Sequence, residues 1–412
     1  MKKQSNVPQI RFLNFEELWK DDKLNNIFGT IRNAFVGTAT PYYVEEGNFY
    51  LESNNVKNGK INFNSQIFIN DEFYEKQRDK WLKTNDIVMV QSGHVGHTAV
   101  IPEELNNTAA HALIVFTDYM EEVDPHFLNY QFQSNGKRKE LDLISTGNTI
   151  KHILASEMKN FKMDFPTVDE QSAIGSLFRT LDDLLTSYKD NLANYQSLKA
   201  TMLYKMFPKA GQIVPEIRLD GFEGEWEKGT IGEFGSFYYG KSAPKWSVTE
   251  DATIPCVRYG ELYTKFSTKI DKIYSYTSIL KENLKLSSGN EILVPRVGEN
   301  PLDFANCSWL SLKDVAIGEM ISVYNTHNNP LFIAYYFNAK MKKEFAKRVE
   351  GGSVANLYYT YLENISISVP SIPEQQAIGA YFSNLDNIIN SHQEKISQLE
   401  TLKKKLLQDM FI

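Results

Sequence analysis

Apolar side chains recur in alternating steps of three and four along two stretches of the chain. In the first they are Phe178, Leu181, Leu185, Tyr188, Leu192 and Tyr195, followed at the same spacing by Lys199, Met202 and Met206. In the second they are Phe382, Leu385, Ile389, His392, Ile396 and Leu399, followed by Lys403, Leu406 and Met410. A period of about 3.5 residues held for about four heptads is the seam of a coiled coil. Both stretches open with a hydroxyl residue three positions before a glutamate, in Thr167-Val168-Asp169-Glu170 and Ser371-Ile372-Pro373-Glu374. This is the spacing of a capping box, and Pro373 is compatible with a first helical turn. The pattern therefore predicts helices over 167–208 and 371–412. Seams this long need a partner, and each is the other's only counterpart, so the helices are expected to pair antiparallel as a rod of roughly 50 Å, at about 1.5 Å per residue. The alternative is that each helix packs on its own domain as an amphipathic core element. His392 reads as a packed histidine on the seam.

The two helical blocks are copies. Residues 166–207 return as 370–411 with 15 identities in 42 positions, among them Glu170, Gln171, Phe178, Met206 and Phe207. Upstream of each block, Val7-Pro8-Gln9-Ile10-Arg11-Phe12 with Phe15-Glu16 and Trp19 returns as Val214-Pro215-Glu216-Ile217-Arg218-Leu219 with Phe222-Glu223 and Trp226. An internal repeat settles the architecture before any single motif does. Between the copies the likeness thins. Asp86-Ile87-Val88 leading to Gly93 is echoed by Glu291-Ile292-Leu293 leading to Gly298, and Gly37-Thr38-Ala39-Thr40-Pro41 by Gly240-Lys241-Ser242-Ala243-Pro244. The short apolar runs at 85–90 and 291–294 predict buried strands running into glycine-bearing loops. The expected fold class is α+β. Two mixed α/β domains, 1–166 and 209–370, alternate with the helices 167–208 and 371–412 as an internal pseudo-twofold repeat.

With 412 residues, 42% hydrophobic and 23% charged, the chain is globular in composition and long enough for two or three cores. It has no run of eighteen apolar residues, and its opening, Met1-Lys2-Lys3-Gln4-Ser5-Asn6, lacks a signal-peptide core; a cytoplasmic protein without membrane association is expected. Two cysteines, Cys256 and Cys307, make neither a disulfide framework nor a multi-cysteine zinc site. The net charge of -7 runs against simple phosphate binding, which is driven by Lys and Arg. A nucleic-acid role then requires either charge segregated on one face or phosphate contacts supplied by partners.

Catalytic signatures are lacking. Asp124-Pro125-His126-Phe127 and its copy Asn329-Pro330-Leu331-Phe332 approach the tetrapeptide of amino-group methyltransferases, but each lacks the second proline and reads better as a Pro-initiated helix start. His94-Val95-Gly96-His97 has no acidic or cysteine neighbour at ligand spacing, so no metal site is expected. No nucleotide-binding loop or nucleophile elbow is identifiable. What differs between the copies is polar loop chemistry suited to base edges and phosphates. The candidate DNA contacts are Thr38, Tyr42, Asn54, Asn55, Lys57, Ser92, His94 and His97 in the first domain. In the second they are Lys241, Ser242, Lys245, Arg258, Tyr259, Arg296 and Asn300.

Two variable domains, two helical blocks opened by Pro-x-x-x-Glu-Gln and closed by Met-Phe, and the Val-Pro-x-Ile-Arg entry closely resemble the specificity subunits of Type I restriction-modification systems, over the whole chain. The resemblance implies that each variable domain is a target recognition domain reading one half of a bipartite site in double-stranded DNA. It implies that the helices set the spacing and dock two methyltransferase subunits, with Glu170, Gln171, Phe178, Glu374, Gln375 and Phe382 as the partner-binding candidates, and that restriction motor-nuclease subunits join that core. It also implies no catalytic residue and no cofactor in this chain, with S-adenosylmethionine, ATP and magnesium belonging to partner subunits. A methyltransferase with a divergent tetrapeptide and a scaffold for non-DNA ligands are the alternatives.

Overall fold

The computed structural model describes residues 7–147, 151–209, 211–241 and 243–412. The chain forms two compact units. One is built from residues up to Lys189 together with Glu394–Ile412, the other from Asp190–Gln393. The two long helices, Val168–Lys205 and Ile372–Asp409, each give one half to each unit. The division into 1–166, 167–208, 209–370 and 371–412 treats domains and helices as separate pieces. The compact units instead cut both helices near their middles, because the halves carry side chains that complete the two domain cores.

In the first unit, strands Phe28–Asn33, Leu113–Tyr119, Ile87–Val90 and Thr98–Val100 form an antiparallel sheet in that order. Ile87-Val88-Met89-Val90 is buried on both faces, which explains an apolar run without alternation. Ile87, Met89, Ile114 and Phe116 face a core shared with helix Pro125–Gln133 and the long helices. Val88, Val90, Leu113 and Val115 face a second, smaller core. A further sheet orders Ala109–Ala110, Asn48–Leu51, Ile67–Ile69 and Tyr43–Val44.

The second unit repeats this plan. Gly235–Tyr239, Ile321–Thr326, Glu291–Pro295, Ser308–Leu310 and Lys269–Ile270 form one sheet. Ser275–Thr277, Ile254–Val257, Lys313–Ile317 and Leu286–Ser288 form another. Asp124 and Asn329 cap the helices that follow them, accepting from the Phe127 and Phe332 amides at 2.8 and 2.9 Å, with Pro125 and Pro330 in the first turn. Both near-tetrapeptides are thus helix starts.

Helix pairing is antiparallel, and the contacts inside each unit show it. In the first, Phe178 stacks on Phe411, Asp182 meets Lys403 at 2.6 Å and Lys189 meets Glu400 at 2.6 Å. In the second, Tyr195 packs on His392, Lys199 pairs with Asp386, and Phe207 stacks on Phe382. Rising numbers on one helix meet falling numbers on the other. The two alternatives from the sequence are both realised, since the seam residues Phe178, Leu181 and Leu185 also belong to the core under the first unit's sheet. His392 is half-buried, with Nδ1 against the Ile388 carbonyl at 2.9 Å, as expected of a packed histidine. No helix among the described residues is long and apolar enough to cross a membrane.

Candidate nucleic-acid interface

The repeated motifs interlock within the chain. Arg11 donates from Nε and Nη2 to both oxygens of Glu170 at 2.7 and 2.6 Å, and Arg218 does the same to Glu374 at 2.8 and 2.6 Å. The first capping box is therefore corrected to a half-box, and in the second the Glu374 carboxylate is likewise held by arginine. Thr167 Oγ1 accepts from the Glu170 amide at 3.4 Å, but the Glu170 carboxylate turns to arginine instead of back to the N-cap. Gln171 accepts from the Asp124 amide and donates to the Pro166 carbonyl. Gln375 likewise bridges the Asn329 amide and the Pro370 carbonyl. Close approach here needs glycine, since a Cβ at Gly175 would lie 2.7 Å from Asp124 Oδ1.

These bonds correct the assignment of Glu170, Gln171, Phe178, Glu374, Gln375 and Phe382 as direct partner contacts. All six are at most 2% exposed, and their polar groups are satisfied internally. They hold each helix start against its own domain, and a partner would meet the surface around them. The strap that carries each arginine is fixed in the same way in both units. The Ile10 amide donates to the Asp409 carbonyl, and the Ile217 amide to the Lys205 carbonyl.

In the first unit a hairpin of Val56–Lys57 and Lys60–Ile61 turns through Asn58 and Gly59, both at positive φ, the asparagine-glycine turn that fits strand twist. Its tip lies against the loop 91–97, where His97 Nδ1 accepts from the Asn58 amide at 3.2 Å. Burial, with Arg138, His94 and Lys57 nearby, lowers the His97 pKa and favours a neutral ring. Lys57, His94 and His97 are thereby brought together with Arg138, which sequence reasoning missed. Lys57, Lys60, Arg138, Lys189, Lys403 and Lys404 line one cleft of about 500 Å³ facing only Asp182 and Glu400 as acids. Lys60 donates to the Asp182 carbonyl and Thr186, while Lys189 and Lys403 pair with the two acids. Lys57, Lys60, Arg138 and Lys404 remain as cations without an acid partner among the described residues. Charge segregated in this way is what phosphate contact would require of a chain with a net charge of -7.

The other candidates of this unit divide. Thr38, Asn54 and His94 are exposed. Asn55 is buried and spends its side chain on the Glu52 amide and the Asn62 and Ser65 carbonyls, so it is corrected to a loop anchor. Tyr42 stacks flat on Phe73 at 4.0 Å as a packing residue, and Ser92 bridges to His152. A further group escaped the sequence analysis. His111 lies between Glu52 Oε1 at 3.3 Å and the Gly37 carbonyl at 3.0 Å, next to the Thr38 loop. Both neighbours are acceptors, so the imidazolium fits best, and the hydrogen bond to Glu52 raises the His111 pKa.

In the second unit the turn 318–320 gathers three strand ends. The Lys241 amide donates to the Ile317 carbonyl, the Gly318 amide to the Val257 carbonyl beside Arg258, and the Arg296 amide to the Met320 carbonyl. Lys241, Arg258 and Arg296 therefore share one end of the sheets. Lys245 is exposed beside Trp246, which is 73% exposed on a turn anchored by the buried Ser247 hydroxyl. Tyr259 is exposed; Asn300 caps the turn Pro301–Ala305 through Leu302. Ser242 lies outside the described residues. No group of three or more His, Cys, Asp or Glu that could hold a metal occurs among the described residues.

Comparison with known proteins places this frame. The family described as Type I restriction modification DNA specificity domain matches residues 19–194 and again 223–401. The Type I restriction enzyme MjaIX specificity subunit of Methanocaldococcus jannaschii is 22% identical over 329 residues, 78% of this chain and 75% of that protein. The putative type I restriction enzyme MjaX specificity subunit of the same organism is 20% identical over 98% of this chain and 95% of its own length. Among solved structures, the S subunit of a Type-I restriction-modification system from M. genitalium superposes with a TM-score of 0.62 at 15% identity, covering 98% of this chain and 99% of that one. A twice-matched domain on a duplicated frame of helices and mixed sheets leads to one assignment: this chain belongs to the type I restriction-modification DNA specificity subunits.

Proposed function

We propose that each unit reads one half of a two-part target in double-stranded DNA, and that the paired helices set the gap and dock two methyltransferase subunits. Restriction motor-nuclease subunits join that assembly in the cytoplasm. S-adenosylmethionine, ATP and magnesium act in the partner subunits, where the methylation and cleavage chemistry resides. A solved structure similar in fold, with a TM-score of 0.50, comes from work on complex assembly and conformational transition of the type I restriction-modification system, and this supports the same assembly here. The observation that carries the reading is one frame with two different polar surfaces. The first unit offers Lys57, His94, His97 and Arg138, the second Lys241, Arg258 and Arg296. Duplicated frames with unlike donors suit independent readers of unlike half-sites, since major-groove patterns differ for each base pair.

The test is an exchange of residues 1–165 for the corresponding domain of another such subunit, with methylated positions mapped genome-wide in cells carrying either chain. One half of the methylated motif is expected to change and the other to persist. Changes in both halves, or in neither, would rule out two independent readers.

A further inference from the structure

Arg296 follows strand Glu291–Pro295 and is built into the second unit in an unusual way. Its guanidinium carbon lies 4.5 Å from the Tyr239 ring centroid and 5.5 Å from that of Tyr358. Tyr239 packs on Tyr359 at 4.6 Å, and Tyr359 stacks on Phe237 at 5.4 Å with an interplanar angle of 3°, so the aromatic wall is itself braced. The backbone on both sides is pinned, the Arg296 amide to the Met320 carbonyl at 3.2 Å and its carbonyl by the Leu357 amide at 2.9 Å. Nε is buried with no acceptor. No carboxylate in the described chain pairs with the guanidinium, in contrast with Arg11, Arg218 and Arg348. The terminal nitrogens are left as a fork of donors with its orientation set by the rings.

We infer that Arg296 reads a guanine in the half-site bound by the second unit, donating from its terminal nitrogens to O6 and N7 in the major groove, with Tyr239 and Tyr358 as positioning residues. This rests on the half-site reading above and adds the base class. Three features favour a base edge over a phosphate. A guanidinium fork pairs bidentately with phosphates as well as with base edges, but a plane fixed by the protein yields sequence discrimination only at a base edge, whose acceptors lie in one plane. Lys241 and Lys245, on the same unit, are exposed and flexible, the character expected of phosphate contacts. Exposed Glu299, three positions along the same loop, disfavours a phosphate but accepts readily from a cytosine amino group. The rings restrain the side chain in advance, which lowers the entropy cost of binding.

The test uses the full complex with its methyltransferase subunits, measuring methylation rates on duplexes that vary one base pair at a time. The wild-type motif should hold a required guanine in the half that follows residues 209–370 in a domain exchange. Arg296→Met keeps an unbranched stem between the rings but removes the fork. It should flatten discrimination at that one position by roughly 10- to 100-fold and leave the other positions unchanged. Tyr239→Leu should weaken discrimination at the same position only, a pattern that general loosening of the domain would not produce. A uniform loss at all positions, or a half-site without a required guanine, overturns the assignment. If the domain exchange alters neither half-site, the reading of the units as half-site readers fails instead; if it alters one and Arg296→Met leaves the motif intact, only the role of Arg296 falls.

Discussion

Replacing Lys403 by methionine should destabilise the first unit by about 3 kcal/mol, near the lower end for breaking a buried ion pair by removing one partner. Its Nζ lies 2.6 Å from Asp182 Oδ1, with the two side chains 15% and 6% exposed, and Asp182 Oδ2 accepts from the Tyr130 hydroxyl at 2.8 Å. Without the lysine, the carboxylate stays buried with one neutral donor. Asp182→Leu should cost less, about 2 kcal/mol, because the freed ammonium extends to water on its flexible stem. Combining the two changes leaves mainly the Tyr130 hydroxyl unpaired, for about 1–2 kcal/mol. The double variant is thus far milder than the sum of the singles, which is the mark of direct coupling. Hydrogen exchange over peptides 178–189 and 396–407 in the full chain is the suitable assay, because a two-unit protein need not unfold in one step. Lys189→Met serves as control; its pair with Glu400 is half-exposed on both sides and should be worth no more than about 0.5 kcal/mol. A Lys403→Met cost as small as the control's, or a double variant as costly as the sum, would refute the argument that this pair is a buried, directly coupled contact between the helices.

Two other expectations follow from groups already described. The His111 pKa is raised above its ordinary value of 6.5, chiefly by its hydrogen bond to Glu52, so its contribution to stability is complete below that value and is lost as pH rises through the folded pKa. Exchange protection of the 35–52 segment should accordingly fall as pH rises above 6.5 through the raised folded pKa, and His111→Gln should abolish that dependence; a persisting step in the variant would exclude His111 as its source. For the basic cleft, Lys57→Ala with Arg138→Ala should weaken DNA binding by the assembled complex about equally on all sequences and reduce the salt slope by about 2, one for each phosphate no longer neutralised. An unchanged slope would remove the cleft from the DNA path.

The duplicated frame was legible in the sequence because helices are local objects. Their 3.5-residue seam, their starts at Thr167 and Ser371, and the Pro125 and Pro330 helix entries follow from spacing and backbone chemistry within a few residues. The pairing of the two seams was legible too, since neither could bury its stripe alone. Tertiary structure alone decided what the repeated polar residues do. Glu170 and Glu374 look like capping residues or a docking surface until an arginine far earlier in the chain, Arg11 or Arg218, is seen to hold each of them. Asn55 looks like a base contact until its three internal hydrogen bonds are found. Arg138, His111 and the tyrosine clamp on Arg296 carry no local signal, because each depends on strands and turns far apart in the chain arriving at one place. A sequence states which side chains have donors to offer; only the packing around them determines which donors are already used.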